Sequence, residues 1–407
     1  MRKSKRKALL GVLIIVVLVL CIGLFMKNKT NTLNSNSIKE GITKELDENL
    51  IGAYIQNGED YTPTSDIPTS GYEFNEEKSY CKIGDVIQEN ISLSYDMDTQ
   101  TLTVSPITKE GMKCYLYFDE KASGGDYILA GDNPPTGTTT DWTGGTSYYY
   151  TGNPNNWVQF GGFWWRIIRI NGDGSIRMIY SGSEATGPAT SGTDTQIGTS
   201  GFSWTYEYNI YVGYMYTVGQ RQGHDNSSII KEVLDNWYIN NIDNHRYAEY
   251  IDGNAGFCGD RRVSSGTGTE TGETNYQPYT RISNNSPSLS CETLDIYTTK
   301  GSSTGNAALD YPIGLISTDE AMLAGIPNWN SSNSNNYLYT RQNYWTISPY
   351  WFNDGFALVF VVYSNGSLDG GYVYVPIGVR PVINLRADVQ MTGSGTTSDP
   401  FKVVGAS

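Results

Sequence analysis

Tyr344-Trp-Thr-Ile-Ser-Pro349, Tyr350-Trp-Phe-Asn-Asp-Gly355, Ala357-Leu-Val-Phe-Val-Val362, Ser364-Asn-Gly-Ser367 and Gly378-Val-Arg-Pro-Val-Ile-Asn-Leu385 follow one another near the C-terminus. Short runs rich in β-branched and aromatic residues alternate here with Asn, Asp, Ser and Gly, the pattern of strands punctuated by turns. The scaffold strands are expected at Tyr344–Ser348, Ala357–Val362 and Val379–Leu385, with aromatic loops between them. Rigid aromatic rings supply contact area at low entropic cost, and Ser, Gly and Asn supply adaptable hydrogen bonds. The ligand-binding candidates are therefore Tyr350, Trp351, Phe352, Asn353 and Asp354, then Tyr363 and Asn365, then Tyr372 and Tyr374. The opposing expectation, strongest for Tyr372 and Tyr374, is that period two turns such residues into a core.

Upstream, Phe163-Trp-Trp-Arg-Ile-Ile-Arg-Ile170 and Ile176-Arg-Met-Ile-Tyr180 flank Asn171-Gly-Asp-Gly-Ser175, which predicts a hairpin rather than a calcium loop built on Asp173. Ile229, Ile230, Val233, Leu234, Trp237 and Tyr238 recur at helical spacing, so a helix is expected over Ser227–Asn241 with Ser227 as its cap. A second, shorter helix is expected over Ser317–Leu323, where Ser317-Thr-Asp-Glu320 has capping-box spacing. Nearer the N-terminus, Ile91–Tyr95 and Thr101–Ser105 alternate with period two, and Cys114–Phe118 is another strand. Leu46–Ile55 suits a short helix within otherwise polar sequence.

Arg2, Lys3, Lys5, Arg6 and Lys7 precede an uncharged apolar run from Ala8 to Met26, followed by Lys27 and Lys29. A run of this length at 1.5 Å per residue nearly spans a hydrocarbon core of about 30 Å. It reads as a signal anchor in the cell membrane, with the more basic N-terminus cytoplasmic and the bulk extracellular. Cys21 is a poor lipid-attachment site, because Leu20 stands where a small residue is needed. The expected domains are a cytoplasmic tail over 1–7, the anchor over 8–26, a polar stalk over 27–70, a small β domain over 71–120, a Gly/Thr/Pro-rich linker over 121–156, and a large domain over 157–405.

The net charge is −14, and the first 29 residues contribute +7, which leaves −21 for the remainder. Such a surface repels phosphate backbones, so nucleic acid is not an expected partner. Cys81, Cys114, Cys258 and Cys291 remain outside the anchor, an even number in an exported chain. Of three connectivities, Cys81–Cys114 and Cys258–Cys291 respect the domain boundaries best; four reduced, buried thiols are the alternative. No Cys-x-x-Cys with a nearby His offers a metal site.

Only two histidines, His224 and His245, are present, and no nucleophile signature accompanies them. Asp252 with Asp260, or Asp319 with Glu320, could be a glycosidase pair, but capping or solvation explains them with fewer assumptions.

Phe163–Arg177, Asn254–Arg261, Tyr311–Ser317, Tyr344–Pro349, Gly378–Leu385 and the tail Gly393–Val404 together resemble a family of membrane-anchored surface proteins of gut Gram-positive bacteria and mycoplasma relatives. Tyr80-Cys81 and Lys113–Phe118 resemble its small preceding domain. The resemblance implies an α+β, mostly β fold: a transmembrane helix, a small β domain, then a C-type-lectin-like domain with two helices, long loops and a terminal strand returning to the first. The family has no established activity, so a fold and a location are implied rather than a reaction.

Calcium-dependent lectins carry Glu-Pro-Asn and Trp-Asn-Asp, whereas this chain has Ile326-Pro-Asn328 and Trp351-Phe-Asn-Asp354. Neither a calcium site nor another cofactor is therefore expected. The leading expectation is an adhesin-like protein that binds an extracellular protein or glycan and is not an enzyme. The alternatives are an envelope enzyme acting on glycans, a receptor whose loops a retroelement diversifies, and a purely structural surface protein.

Overall fold

The computed structural model describes residues 51–68, 72–96, 101–106, 111–120 and 122–406, with the backbone alone of 37–39 and 43–45. The tail over 1–7 and the anchor over 8–26 lie outside the described residues. Among the described residues no helix is long and apolar enough to cross a membrane. The chain is mostly β with few helices and falls into two compact units, Met1–Lys121 and Ala122–Ser407.

The first unit holds a five-stranded sheet in the order Asp60–Thr64, Ile51–Asn57, Met112–Glu120, Tyr72–Ile83, Val86–Ile87. The expected hairpin is present as Ser92–Asp96 paired with Thr101–Ser105, and its alternation turns Leu93, Tyr95, Leu102 and Val104 into the core. Cys81 and Cys114 are direct cross-strand partners and form a disulfide.

The stalk expected over 27–70 and the helix expected over Leu46–Ile55 need correction, because Ile51–Asn57 and Asp60–Thr64 form a hairpin within this sheet. Ile51, Ala53 and Ile55 do alternate, but five apolar-polar steps are a weak signal beside Pro63. Pro63 is tolerated because Asp60–Thr64 is the edge strand, whose outer amides need no partner.

The second unit begins at residue 122 and not at 157. The expected linker holds the helix Gly124–Ala130 and the hairpin Gly137–Thr140 with Thr146–Tyr149, which joins the edge of an eight-stranded sheet. Gly124-Gly125 reads as a helix breaker in sequence. In place, a Cβ at Gly124 would come within 2.8 Å of the Val389 carbonyl, and one at Gly125 within 2.8 Å of the Gly174 carbonyl. The glycines let this helix lie directly on backbone.

The predicted Phe163–Ile170 and Ile176–Ser183 hairpin sits at the middle of that sheet, with Val382–Leu385 on its outer side. The C-terminal strand Phe401–Val403 returns parallel to Trp157–Phe160. The long helix is Ile229–Asn241, and its cap is Ser228, whose hydroxyl accepts from the Lys231 amide. Ser227 belongs to a short strand instead. Ile230, Leu234 and Tyr238 are its buried stripe. Thr318–Leu323 carries the predicted capping box between Ser317 and Glu320. A further helix, Gln277–Ser283, lies in what the sequence suggested was all loop; Pro278 occupies its first turn, where a missing N–H costs nothing.

A seven-stranded sheet carries the C-terminal stretch. Tyr344–Asn353 pairs with Phe356–Val362, which pairs with Leu368–Tyr372; Ile377–Gly378 and Thr274–Tyr276 flank the first of these.

Candidate functional site

Tyr344–Asn353 runs five residues past the predicted end of its strand and closes on a turn at Asp354-Gly355. Pro349 stands opposite Val359 and Trp351 opposite Leu358, so two steps on one strand meet one step on the other. Tyr350 is the extra residue of a β-bulge. Consecutive strand residues normally face opposite ways, and a bulge re-aims one of them. Tyr350 and Trp351 consequently share a face, since both rings meet Tyr279, at 5.1 and 6.2 Å. Trp329 stacks on Tyr279 at 5.5 Å and meets Tyr350 edge-on at 6.2 Å. The Tyr350 ring also packs edge-on to Phe360, at 4.7 Å. Gly370 makes room for it, because a Cβ there would lie 2.6 Å from the Tyr350 ring.

The same face continues across the sheet. Trp351, Leu358 and Tyr372 are neighbours in register on three adjacent strands. Tyr372 stacks on Tyr374 at 5.8 Å, and Phe356 lies between Tyr372 and Tyr206, stacking on Tyr206 at 5.3 Å. The outcome is two groups of four rings, Tyr279, Trp329, Tyr350 and Trp351, then Tyr206, Phe356, Tyr372 and Tyr374, joined across Leu358. All eight are half-buried or exposed, and Tyr372 is 46% exposed. Burial, then the nearby Asp369 carboxylate and the Tyr279 ring, push the Tyr350 phenol well above its ordinary range, so it remains a neutral donor at physiological pH. The Trp351 indole N–H is shielded and finds no acceptor among the described residues.

Beside Tyr372 opens a groove of about 500 Å³, lined among others by Gln196, Arg341, Asn343, Tyr363 and Pro376. The Tyr363 hydroxyl donates to the Gly370 carbonyl at 2.9 Å and fixes one wall. Gln196 is 9% exposed, and its Oε1 has no hydrogen-bond partner among the described residues. Arg341, on the rim, is exposed, holds a left-handed φ of 60° and makes no ion pair among the described residues.

Four candidates from the sequence, Tyr350, Trp351, Tyr372 and Tyr374, thus lie on one aromatic face, and Tyr363 lies in the adjoining groove. Phe352 does not: it is fully buried opposite Ala357, on the inner side of the strand. Asn353 and Asp354 form the hairpin tip, whereas Asn365 sits in the turn at the other end of Phe356–Val362. The Asn365 Oδ1 accepts from the Ser367 amide and hydroxyl, at 3.1 and 2.8 Å, so its polar capacity shapes that turn. Tyr206, Tyr279, Trp329 and Phe356 were missed, and local sequence carries no signal for them. Three come from distant segments that only the topology brings to this sheet.

Three of the four acidic candidates, Asp260, Asp319 and Glu320, are held by arginines. Glu320 meets Arg169 at 3.0 Å and Arg177 at 2.5 Å while closing its capping box on the Ser317 amide. Burial alone would raise its pKa, but Arg177, Arg169 and that amide hold it below the ordinary carboxylate range. Asp319 is gripped by Arg281, which also binds Asp260, both at 2.7 Å. The cavity among Arg169, Arg177, Asp319 and Glu320 measures about 20 Å³, the room of one water molecule. Asp252 accepts from the Asn254 and Ala255 amides.

Cys258 and Cys291 form the second disulfide. Asp173 accepts from the Ser175 amide and hydroxyl within the expected hairpin turn. Among the described residues no three His, Cys, Asp or Glu side chains gather so as to hold a metal ion. Compared with models of known protein families, with curated proteins and with solved structures, the chain matches none of them.

Proposed function

We propose that this protein is a membrane-tethered, extracellular binding protein whose C-terminal unit recognises a glycan or protein ligand through the aromatic face of Tyr344–Asn353, Phe356–Val362 and Leu368–Tyr372. One observation carries the reading: the bulge at Tyr350 turns two consecutive aromatic residues to the same outer face, where six further rings extend them. A core strand gains nothing from aiming Tyr and Trp outward together, whereas a ligand gains a patch of half-exposed rings with phenol groups among them. The groove favours a glycan, because Arg341, Gln342 and the Asn343 amide nitrogen line it with donors suited to sugar hydroxyls beside the stacking surface of Tyr372.

A C-type-lectin-like scaffold is supported by the long helix Ile229–Asn241, the short helix Thr318–Leu323 and the closing strands in the expected order, and by the return of Phe401–Val403 to Trp157–Phe160, while Gly124–Ala130 and Gln277–Ser283 are helices beyond the two expected. Tethering through residues 8–26 rests on the apolar run and its basic flanks. Asp260, Asp319 and Glu320 are locked by arginines, which favours binding over glycan hydrolysis through the pairs Asp252 with Asp260 or Asp319 with Glu320, since hydrolysis needs a free pair flanking an open cleft. Glycan and protein arrays probed with the full chain test the proposal. Binding should be lost in Tyr350→Ala and Trp351→Ala; a ligand held equally well by both variants would remove this face from the account.

A further inference from the structure

The first unit has a second outward face that the aromatic platform does not explain. Met112–Glu120 sits between Ile51–Asn57 and Tyr72–Ile83. Its inward residues, Cys114, Leu116 and Phe118, join the core. Its outward residues, Lys113, Tyr115 and Tyr117, lie in register with Lys82, Tyr80 and Asn75 on one side. On the other side Tyr54 is opposite Tyr117. Tyr54 stacks on Tyr117 at 4.9 Å, Tyr80 on Tyr115 at 5.1 Å, and Tyr61 meets Tyr117 edge-on at 5.2 Å. All five rings are half-buried. Burial and a hydrogen bond with Tyr80 push the Tyr117 phenol up to about 12, so it stays a neutral donor.

Lys82 and Lys113 are direct cross-strand partners, an arrangement in which like charges destabilise a sheet. Both ammonium groups lie over the Tyr115 ring, each at 5.6 Å, and Lys82 also lies over Tyr80 at 5.3 Å. These cation–π contacts offset part of the repulsion. Neither lysine has an ion pair among the described residues, in a chain with 42 acidic and 28 basic residues. The disulfide Cys81–Cys114 joins the residues that alternate with them and holds this register in place.

We propose that this face binds an acidic polysaccharide, with a carboxylate between Lys82 and Lys113 and sugar hydroxyls along Tyr80, Tyr115 and Tyr117. A lone small anion would use only the lysine end, whereas the phenol row continues across the sheet to Tyr54 and Tyr61. At the opposite end Glu73 faces Asp119, Asp119 accepts from Asn75 at 2.6 Å, and Lys78 lies over the Tyr61 ring at 4.3 Å. Asp119 stands beside Lys78, so the cations with no facing carboxylate are Lys82 and Lys113.

The test is titration of the full chain with polygalacturonate, with poly-L-glutamate and with neutral dextran. Polygalacturonate should bind, dextran should not, and poly-L-glutamate should bind at least ten-fold more weakly because it lacks hydroxyls for the tyrosine row. Lys82→Gln with Lys113→Gln should weaken polygalacturonate at least ten-fold, with an unfolding temperature unchanged or raised because the repulsion is gone. Tyr80→Phe with Tyr115→Phe should weaken it without altering the fold, and Trp351→Ala should leave it unchanged. Three results would overturn the proposal: no binding of polygalacturonate, equal binding of poly-L-glutamate, or full binding by the double lysine variant. None of them bears on the face in the second unit.

Discussion

Three neighbouring residues, Tyr350, Trp351 and Phe352, should respond very differently to truncation. Phe352 is fully buried on the inner side of its strand, so Phe352→Ala removes a whole ring from the core and leaves a cavity. Such changes cost about 3–5 kcal/mol. Tyr350 and Trp351 are half-buried; Trp351 loses two aromatic pairs and Tyr350 four, at about 0.5–1.5 kcal/mol each and less than additive, so Trp351→Ala costs roughly 1–2 kcal/mol and Tyr350→Ala roughly 2–3 kcal/mol. For a unit of this size Phe352→Ala lowers the unfolding temperature by roughly 10 °C, Tyr350→Ala by about 6 °C and Trp351→Ala by about 2–5 °C. Tryptophan fluorescence reports the second unit alone, because all nine tryptophans lie after residue 121. Guanidinium or thermal unfolding followed by that signal gives the ranking Phe352 above Tyr350 above Trp351. A strictly alternating strand would put Tyr350 and Phe352 on one side. Equal large losses for those two, with Trp351 near neutral, would refute the bulge and the face built on it.

Glu320→Gln leaves Arg169 and Arg177 facing a neutral amide in the core and should destabilise the second unit by about 3–5 kcal/mol, read by the same fluorescence. Because the folded pKa of Glu320 lies below its ordinary 4.5, its stabilisation is complete above that value and is lost as pH falls through the folded pKa. Unfolding midpoints measured from pH 6 to pH 2 should fall for the wild type and fall less steeply for the variant. Replacing Cys81 and Cys114 together by Ser opens a loop with a sequence separation of 33 and should cost the first unit roughly 3–4 kcal/mol, seen by calorimetry without a shift in the tryptophan signal. For the tether, external protease should release the part of the chain that follows the anchor from intact cells and leave the N-terminus with the membrane; full protection would reverse the proposed orientation.

Much of the fold was legible because its signals are local. The Asn171–Ser175 turn, the alternation of Leu93, Tyr95, Leu102 and Val104, the Ile230-Leu234-Tyr238 stripe and the Ser317–Glu320 box each use a few consecutive residues, and each appears in the structure. The errors came where tertiary contact overrides local preference. Gly124-Gly125 is helical because backbone packs against it, and Asp60–Thr64 is a strand despite Pro63 because it lies at an edge.

The site was half legible for the same reason. Composition pointed to Tyr350, Trp351, Tyr372 and Tyr374, but treating them as loop residues hid the strand that aims them. One unpaired residue at the bulge puts Tyr350 on the side of Trp351 rather than on that of Phe352, and no sequence period records it. Tyr206, Tyr279 and Trp329 join only after the chain has crossed between segments far apart in sequence.

Binding of one array-selected ligand to the wild type, to Trp351→Ala and to Tyr206→Ala tests the central claim most directly, since these residues belong to different groups of rings and touch no common ring. The account predicts that both variants stay folded and that each loses at least ten-fold in affinity. Unchanged affinity in Trp351→Ala, or the absence of any ligand for the wild type across glycan and protein arrays, would contradict it.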